Sequence, residues 1–141
     1  TVKALSDVPD KTFAEKVLGD GAAIVPEEGK VYAPADGTVA NIMDSKHGIM
    51  FVTDSGAEVL IHIGLDTVNL KGKYFKSYVS DGDKVKKGTL LVEFDLEAIK
   101  GEGYNLITPM VVTNISDYIK AVCMEKENTA INAGDKFLTV V

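Results

Sequence analysis

Two residues in this chain, His47 and His62, are its only histidines, and they carry the chemistry most easily read from the sequence. An imidazole with an ordinary pKa of about 6.5 is largely neutral at pH 7, so its bare nitrogen can attack phosphorus or ligate a metal. Two imidazoles side by side offer more. One can act as nucleophile while the other donates a hydrogen bond to phosphoryl oxygens as negative charge builds there. For one ring nitrogen to be the nucleophile, the other must hold the proton, usually by donating it to a backbone carbonyl. Gly64, just beyond His62, has no side chain to impede such a contact, and the hydroxyl of Ser45, just before His47, can fix that ring's tautomer.

The elements that must bring these rings together read as a β-hairpin. Residues 47–53 form one apolar run, Asp54-Ser55-Gly56 a turn, and residues 57–63 the return strand. If Thr53 and Gly56 close a two-residue loop, opposed residues have numbers summing to 109, and His47 faces His62 directly. Their Cβ atoms would then be roughly 4.5–5.5 Å apart. That register places Gly48, Met50, Val52, Val59, Ile61 and Ile63 on the core face, and His47, Ile49, Phe51, Leu60 and His62 on the other. A three-residue loop gives a sum of 110, with Gly56 as a left-handed bulge residue, and moves His62 to the opposite face. The first register is the preferred expectation.

Composition bounds the rest. At 141 residues and 45% hydrophobic, the chain fits one domain, residues 1–141, large enough for a proper core. A formal charge of −6 argues against a nucleic-acid partner, which calls for a basic face. The basic residues are all lysines, so no arginine fork is available to clamp phosphate. The single cysteine, Cys123, excludes an internal disulfide and a cysteine-rich zinc site, and reads as a small apolar residue. With no long apolar run and no leader-like segment, no direct membrane insertion is expected, and the domain is expected to be soluble and cytoplasmic.

Short β-branched or apolar runs alternate with Gly-containing turns throughout, as in residues 33–39, 80–85 and 132–137, and this spacing belongs to an all-β sandwich or barrel. Gly-Asp-Lys turns leading into apolar strands recur within residues 81–92 and 132–140, a rhyme too short to prove duplication. Helix is expected only as short pieces, at residues 11–18, 96–100 and 116–120. Lys84, Lys86 and Lys87 make a local basic patch that reads as a solvated turn.

The run Gly56-Ala-Glu-Val-Leu-Ile-His62-Ile-Gly64-Leu-Asp66-Thr67-Val68 resembles the phosphorylation-site signature of glucose-class enzyme IIA, a phosphocarrier of the bacterial phosphoenolpyruvate-dependent sugar phosphotransferase system. The signature asks for Gly, two variable residues, three aliphatics, the active histidine, an aliphatic, Gly, an aliphatic, any residue, Thr and an aliphatic, and every position matches. The likeness extends to Asp7-Val-Pro-Asp10, Phe13-Ala-Glu-Lys16, Gly19-Asp-Gly21, Ala33-Pro-Ala-Asp-Gly37, Lys71-Gly72, Glu93-Phe-Asp-Leu96 and Thr108-Pro-Met-Val-Val-Thr-Asn114.

The resemblance implies an antiparallel β-sandwich, or barrel-sandwich hybrid, with short peripheral helical turns and an apolar depression holding both histidines. It implies that His62 is phosphorylated at Nε2 and that His47 hydrogen-bonds the phosphoryl group. Phosphate would arrive from the phosphohistidine of HPr and leave for a cysteine on the IIB domain of a sugar permease. The chain would act as a cytoplasmic phosphotransferase component, alone or as a domain of a membrane-bound permease. Positions matching the family's docking surface are Asp10, Thr12, Val17, Leu18, Met43, Leu60, Asp66 and Val68, which should be mostly apolar and adaptable. Some relatives carry phenylalanine where Met43 and Leu60 stand, and threonine where Ser45 stands. Relatives can also share a zinc ion between the two histidines and a carboxylate from a bound regulatory target. No cofactor is required on this reading; two histidines make an incomplete zinc site, so no intrinsic metal is expected. Two other readings fit the sequence less well. A lipoyl- or biotinyl-type carrier needs a modified lysine at a hairpin tip, and the context of Lys46 does not match. A β-type zinc peptidase needs a third protein ligand and commonly a His-x-His pair, which is absent.

Overall fold

The computed structural model describes residues 2–15, 20–26, 28–113, 121–123 and 138–140. The expected helical turn at 116–120, the end of the expected helix at 16–18 and the turn at 132–137 lie outside the described residues. Within them the chain forms β1 (Val2–Ala4), a 3-10 turn at Leu5–Asp7, α1 (Lys11–Ala14), β2 (Asp20–Ile24), β3 (Lys30–Tyr32), β4 (Gly37–Ile42), β5 (Gly48–Thr53), β6 (Glu58–His62), a second 3-10 turn (Thr67–Leu70), β7 (Phe75–Ser77), β8 (Lys84–Val85), β9 (Leu90–Phe94), α2 (Leu96–Gly101), β10 (Thr108–Val112), β11 (Ala121–Cys123) and β12 (Leu138–Val140). The expectation of an all-β chain with short helical pieces holds. The helix α2 starts where the sequence expects it, capped by Asp95, whose carboxylate accepts the Ala98 N–H at 3.0 Å.

All pairings among the described strands are antiparallel. A seven-stranded sheet runs in the order β1-β2-β10-β6-β5-β4-β8, a three-stranded sheet in the order β3-β9-β7, and β11 pairs with β12. The main core lies between the two larger sheets. It joins Val39, Ile49, Phe51, Val59, Ile61 and Ile63 to Phe75, Leu91, Val92 and Phe94, closed at one end by Ile99 of α2. The opposite face of the large sheet is covered as well. There Leu60 and Val111 pack with Leu5, Val8 and Phe13 of the N-terminal segment and with Leu65 and Ile107 of two loops. A sheet buried on both faces must carry apolar residues at successive strand positions, as Val59, Leu60 and Ile61 do.

The hairpin that carries the histidines corrects the preferred register. Gly48 opposes His62, Ile49 opposes Ile61, Met50 opposes Leu60 and Phe51 opposes Val59, which is the register of the three-residue loop. Thr53 N–H donates to the Ala57 carbonyl at 2.9 Å, the Ala57 N–H donates to the Thr53 hydroxyl at 3.0 Å, and Gly56 takes a φ of +96°. The energetic reason is the face of β5 that joins Val59, Ile61 and Ile63. The expected register would bury Gly48, Met50 and Val52; the observed one buries Ile49 and Phe51, both fully inaccessible, and so removes more apolar surface from water. A bulge between β4 and β5, where Val39 opposes Phe51 and Asn41 opposes Met50, keeps Val39 on that same core face despite the extra residue.

Candidate functional site

The observed register does not separate the histidines. His62 ends β6 on the face shared with Met50 and Leu60, whereas His47 precedes β5 and belongs to a bend, so strand alternation does not govern its side chain. The bend is tight: Met43 N–H donates to the Gly48 carbonyl at 2.9 Å, Lys46 N–H to the Met43 carbonyl at 2.7 Å, and Lys46 takes a φ of +60°. Across the strands, Ile63 N–H donates to the His47 carbonyl at 2.6 Å. The two rings meet edge to face, with centroids 4.8 Å apart and planes at 81°. His47 is therefore a diagonal neighbour of His62, not its directly opposed partner, and the residue opposite His62 is Gly48, which puts no side chain beside the ring.

Each ring has its Nδ1 engaged, with different consequences. The His62 Nδ1 lies 2.6 Å from the Gly64 carbonyl oxygen. A carbonyl only accepts, so Nδ1 carries the proton and Nε2 keeps its lone pair. His47 Nδ1 lies 2.5 Å from Ser45 Oγ. A hydroxyl can donate there, which leaves the proton of His47 on Nε2 as a hydrogen-bond donor. Both supporting residues expected from the sequence, Ser45 and Gly64, are thus in contact with the rings they were assigned to.

The electrostatics keep both rings neutral. Burial, followed by the repulsion that a protonated His62 would exert, lowers the His47 pKa to about 4, and the residue is only 4% exposed. Burial lowers His62 as well, but the Gly64 carbonyl and then the carboxylates of Asp10 and Asp66 act in the opposite direction. Two acids therefore flank the ring that keeps its lone pair.

Phe13 of α1 is a site residue that the sequence reading left unassigned. Its ring centroid stands 5.2 Å from that of His62, tilted by 57°, so His62 contacts both the Phe13 and the His47 rings. The Phe13-Ala-Glu-Lys16 match was the signal available for it. The other expected docking positions divide. Met43 is 39% and Val68 52% exposed; they are among the few large apolar side chains the described surface presents, and Asp66 is exposed beside Val68. Asp10 is half-buried, with its carbonyl accepting from Phe13 and Ala14 at the start of α1. Leu60, expected on the surface, is 7% exposed and lies beneath it in the second core, because that face is covered by the N-terminal segment. Thr12 falls within α1, and Val17 and Leu18 lie outside the described residues. Among the described residues no group of three or more His, Cys, Asp or Glu converges as a metal site, and no helix is long and apolar enough to cross a membrane.

Comparisons with known proteins converge on one family. The family model described as "phosphoenolpyruvate-dependent sugar phosphotransferase system, EIIA 1" matches residues 1–118. A β-glucoside-specific EIIBCA component of Bacillus subtilis is 54% identical over 117 residues, which is 83% of this chain but 19% of that protein. A glucose-specific EIIA component of Halalkalibacterium halodurans is 45% identical over 141 residues, covering 100% of this chain and 80% of that protein. This chain thus spans about a fifth of the multidomain relative and most of the single-component one. Among solved structures, glucose permease IIA from Mycoplasma capricolum superposes with a TM-score of 0.86 at 33% identity, covering 98% of this chain and 88% of that one.

Proposed function

This chain belongs to the EIIA 1 family of the phosphoenolpyruvate-dependent sugar phosphotransferase system, and from that premise we propose that His62 Nε2 is the atom that carries the phosphoryl group. The observation that supports this most directly is the Nδ1 contact of His62 with the Gly64 carbonyl, which leaves Nε2 as the free nucleophile. In the forward step the Nε2 lone pair forms a bond to phosphorus as the P–N bond of phospho-HPr breaks, and the HPr imidazole leaves with that electron pair. The His62 ring gains positive character in the process. The Gly64 carbonyl and the Asp10 and Asp66 carboxylates stabilise that charge, and the His47 Nε2–H meets the phosphoryl oxygens. In the second step a cysteine thiolate of a IIB domain attacks the phosphorus and His62 leaves as the neutral ring.

The partners proposed are HPr and the IIB domain of a sugar permease, docking in turn around Met43, Val68, Asp66 and Asp10. One relative, a β-glucoside-specific EIIBCA component, carries its matching segment in the same chain as EIIB and EIIC parts, which supports this reading. The charge of −6 suits partners with a basic docking face. A regulatory target that supplies a carboxylate could complete a zinc site on His47 and His62; their two ring nitrogens fill half of a tetrahedral shell, and the rest must come from the partner.

The test is transfer from phosphoenolpyruvate through enzyme I and HPr. His62→Ala is expected to abolish the label. His47→Gln is expected to accept phosphate but to pass it to IIB about 100-fold more slowly, the cost of moving the donor away from the position that His47 Nε2–H holds against the developing charge. A label that survives His62→Ala, or that is stable to acid, would refute the assignment.

A further inference from the structure

Thr67 is fully buried, and its hydroxyl donates to the Ile63 carbonyl at 2.5 Å. Threonine commonly makes such a bond to the carbonyl four residues back inside a helix. Here Thr67 is the first residue of a 3-10 turn and Ile63 follows the end of β6, so the bond closes a turn instead. The N–H of Ile63 is held by the His47 carbonyl. Both backbone polar groups of the residue that follows His62 are therefore tied, one to the bend that bears His47 and one to Thr67.

Inside that turn lies Gly64, with a φ of +74°, followed by Asp66 with a φ of 59°. A Cβ on Gly64 would stand 2.8 Å from the Thr67 methyl carbon and 3.0 Å from the Asn105 carbonyl oxygen. That same Asn105 carbonyl accepts the Leu65 N–H at 2.9 Å. The Thr67 methyl and the Asn105 backbone thus both fill the space where a Gly64 side chain would stand, and the Gly64 carbonyl meets Nδ1 of His62.

We propose that Thr67 is a positioning residue for phosphoryl transfer: its hydroxyl, by holding the Ile63 carbonyl, and its methyl, by backing Gly64, keep the Gly64 carbonyl on Nδ1 of His62 and so keep Nε2 bare. The inference rests on the reading of His62 Nε2 as the carrier atom. It differs from a purely structural role, because the quantity Thr67 controls is the tautomer of His62.

The tautomer is read from 15N imidazole spectra of the unphosphorylated domain at pH 7.5, without any partner. In the native protein His62 is expected to be the Nδ1–H form. Thr67→Val keeps the shape and removes the donor, and should raise the ratio of Nε2–H to Nδ1–H by about five- to tenfold, the effect of a single hydrogen bond. With phospho-HPr as donor, kcat should fall in proportion to the fraction of His62 that leaves the Nδ1–H form, while KM stays within about twofold. Thr67→Ser keeps the hydroxyl but not the methyl and should restore both in part. Gly64→Ala presses on the same methyl and should shift the tautomer in the same direction, which keeps the proposal testable if Thr67→Val does not fold. An unchanged tautomer ratio in either folded variant, or a Thr67→Ser protein shifted as far as Thr67→Val, would overturn it. A label that survives His62→Ala defeats the carrier reading instead, while the tautomer spectra still judge Thr67.

Discussion

At the scale of single residues, the histidine pair is made unequal by what touches each Nδ1. A carbonyl beside His62 and a hydroxyl beside His47 give one ring a bare Nε2 and let the other present Nε2–H. The sequence placed Ser45 and Gly64 as the supporting groups because their offsets of two residues from each histidine suit such contacts. It left Phe13 out because nothing local to His62 points to a ring on a distant helix. Burial adds a pH dependence. The folded His47 has its pKa lowered to about 4, so between pH 6.5 and 4 the unfolded chain binds a proton that the native ring refuses. Stability is then full above pH 6.5 and declines as pH falls through that window, by on the order of 2 kcal/mol after solvent screening. Urea midpoints at pH 7 and pH 5 should therefore differ more for the native protein than for His47→Gln; an equal difference would show that His47 does not titrate this way.

At the scale of elements, the hairpin shows what alternation reveals and where it stops. The turn at residues 54–56 and the core set of β6 were legible, since Val59, Ile61 and Ile63 alternate in either register. The face of β5 was not, because Ile49 and Phe51 alternate with Met50 and Val52, and both sets are apolar. Asking the two histidines to share a strand face selected the wrong one. His47 escapes that rule by standing in the bend before β5. The correct register rests on Gly56 at φ +96°, where an added Cβ would meet nothing within 4 Å. Gly56→Ala should therefore cost about 1–2 kcal/mol by backbone strain alone, seen as a lower urea midpoint with phosphoryl transfer unchanged. A loss of transfer without a loss of stability would mean that the hairpin tip takes part in function.

At the scale of the whole molecule, a large antiparallel sheet is covered on both faces and leaves its histidines at the margin of the second core. Short strands and Gly-bearing turns were enough to expect an all-β sandwich, and the signature around His62 was enough to expect the family. The second core was not legible: Leu60 looked like a surface residue because the N-terminal segment that buries it is far away in sequence. Met43 and Val68, with Tyr78, are the large apolar side chains exposed among the described residues, and the proposed docking surface uses the first two. Val68→Lys should raise the KM for phospho-HPr by about tenfold, with stability changed by no more than about 0.5 kcal/mol; an unchanged KM would move the docking surface elsewhere. The proposed carrier atom is Nε2 of His62. NMR of the phosphorylated, 15N-histidine-labelled domain should show phosphorus coupling at Nε2 of His62; coupling at its Nδ1, or on His47, would refute that assignment.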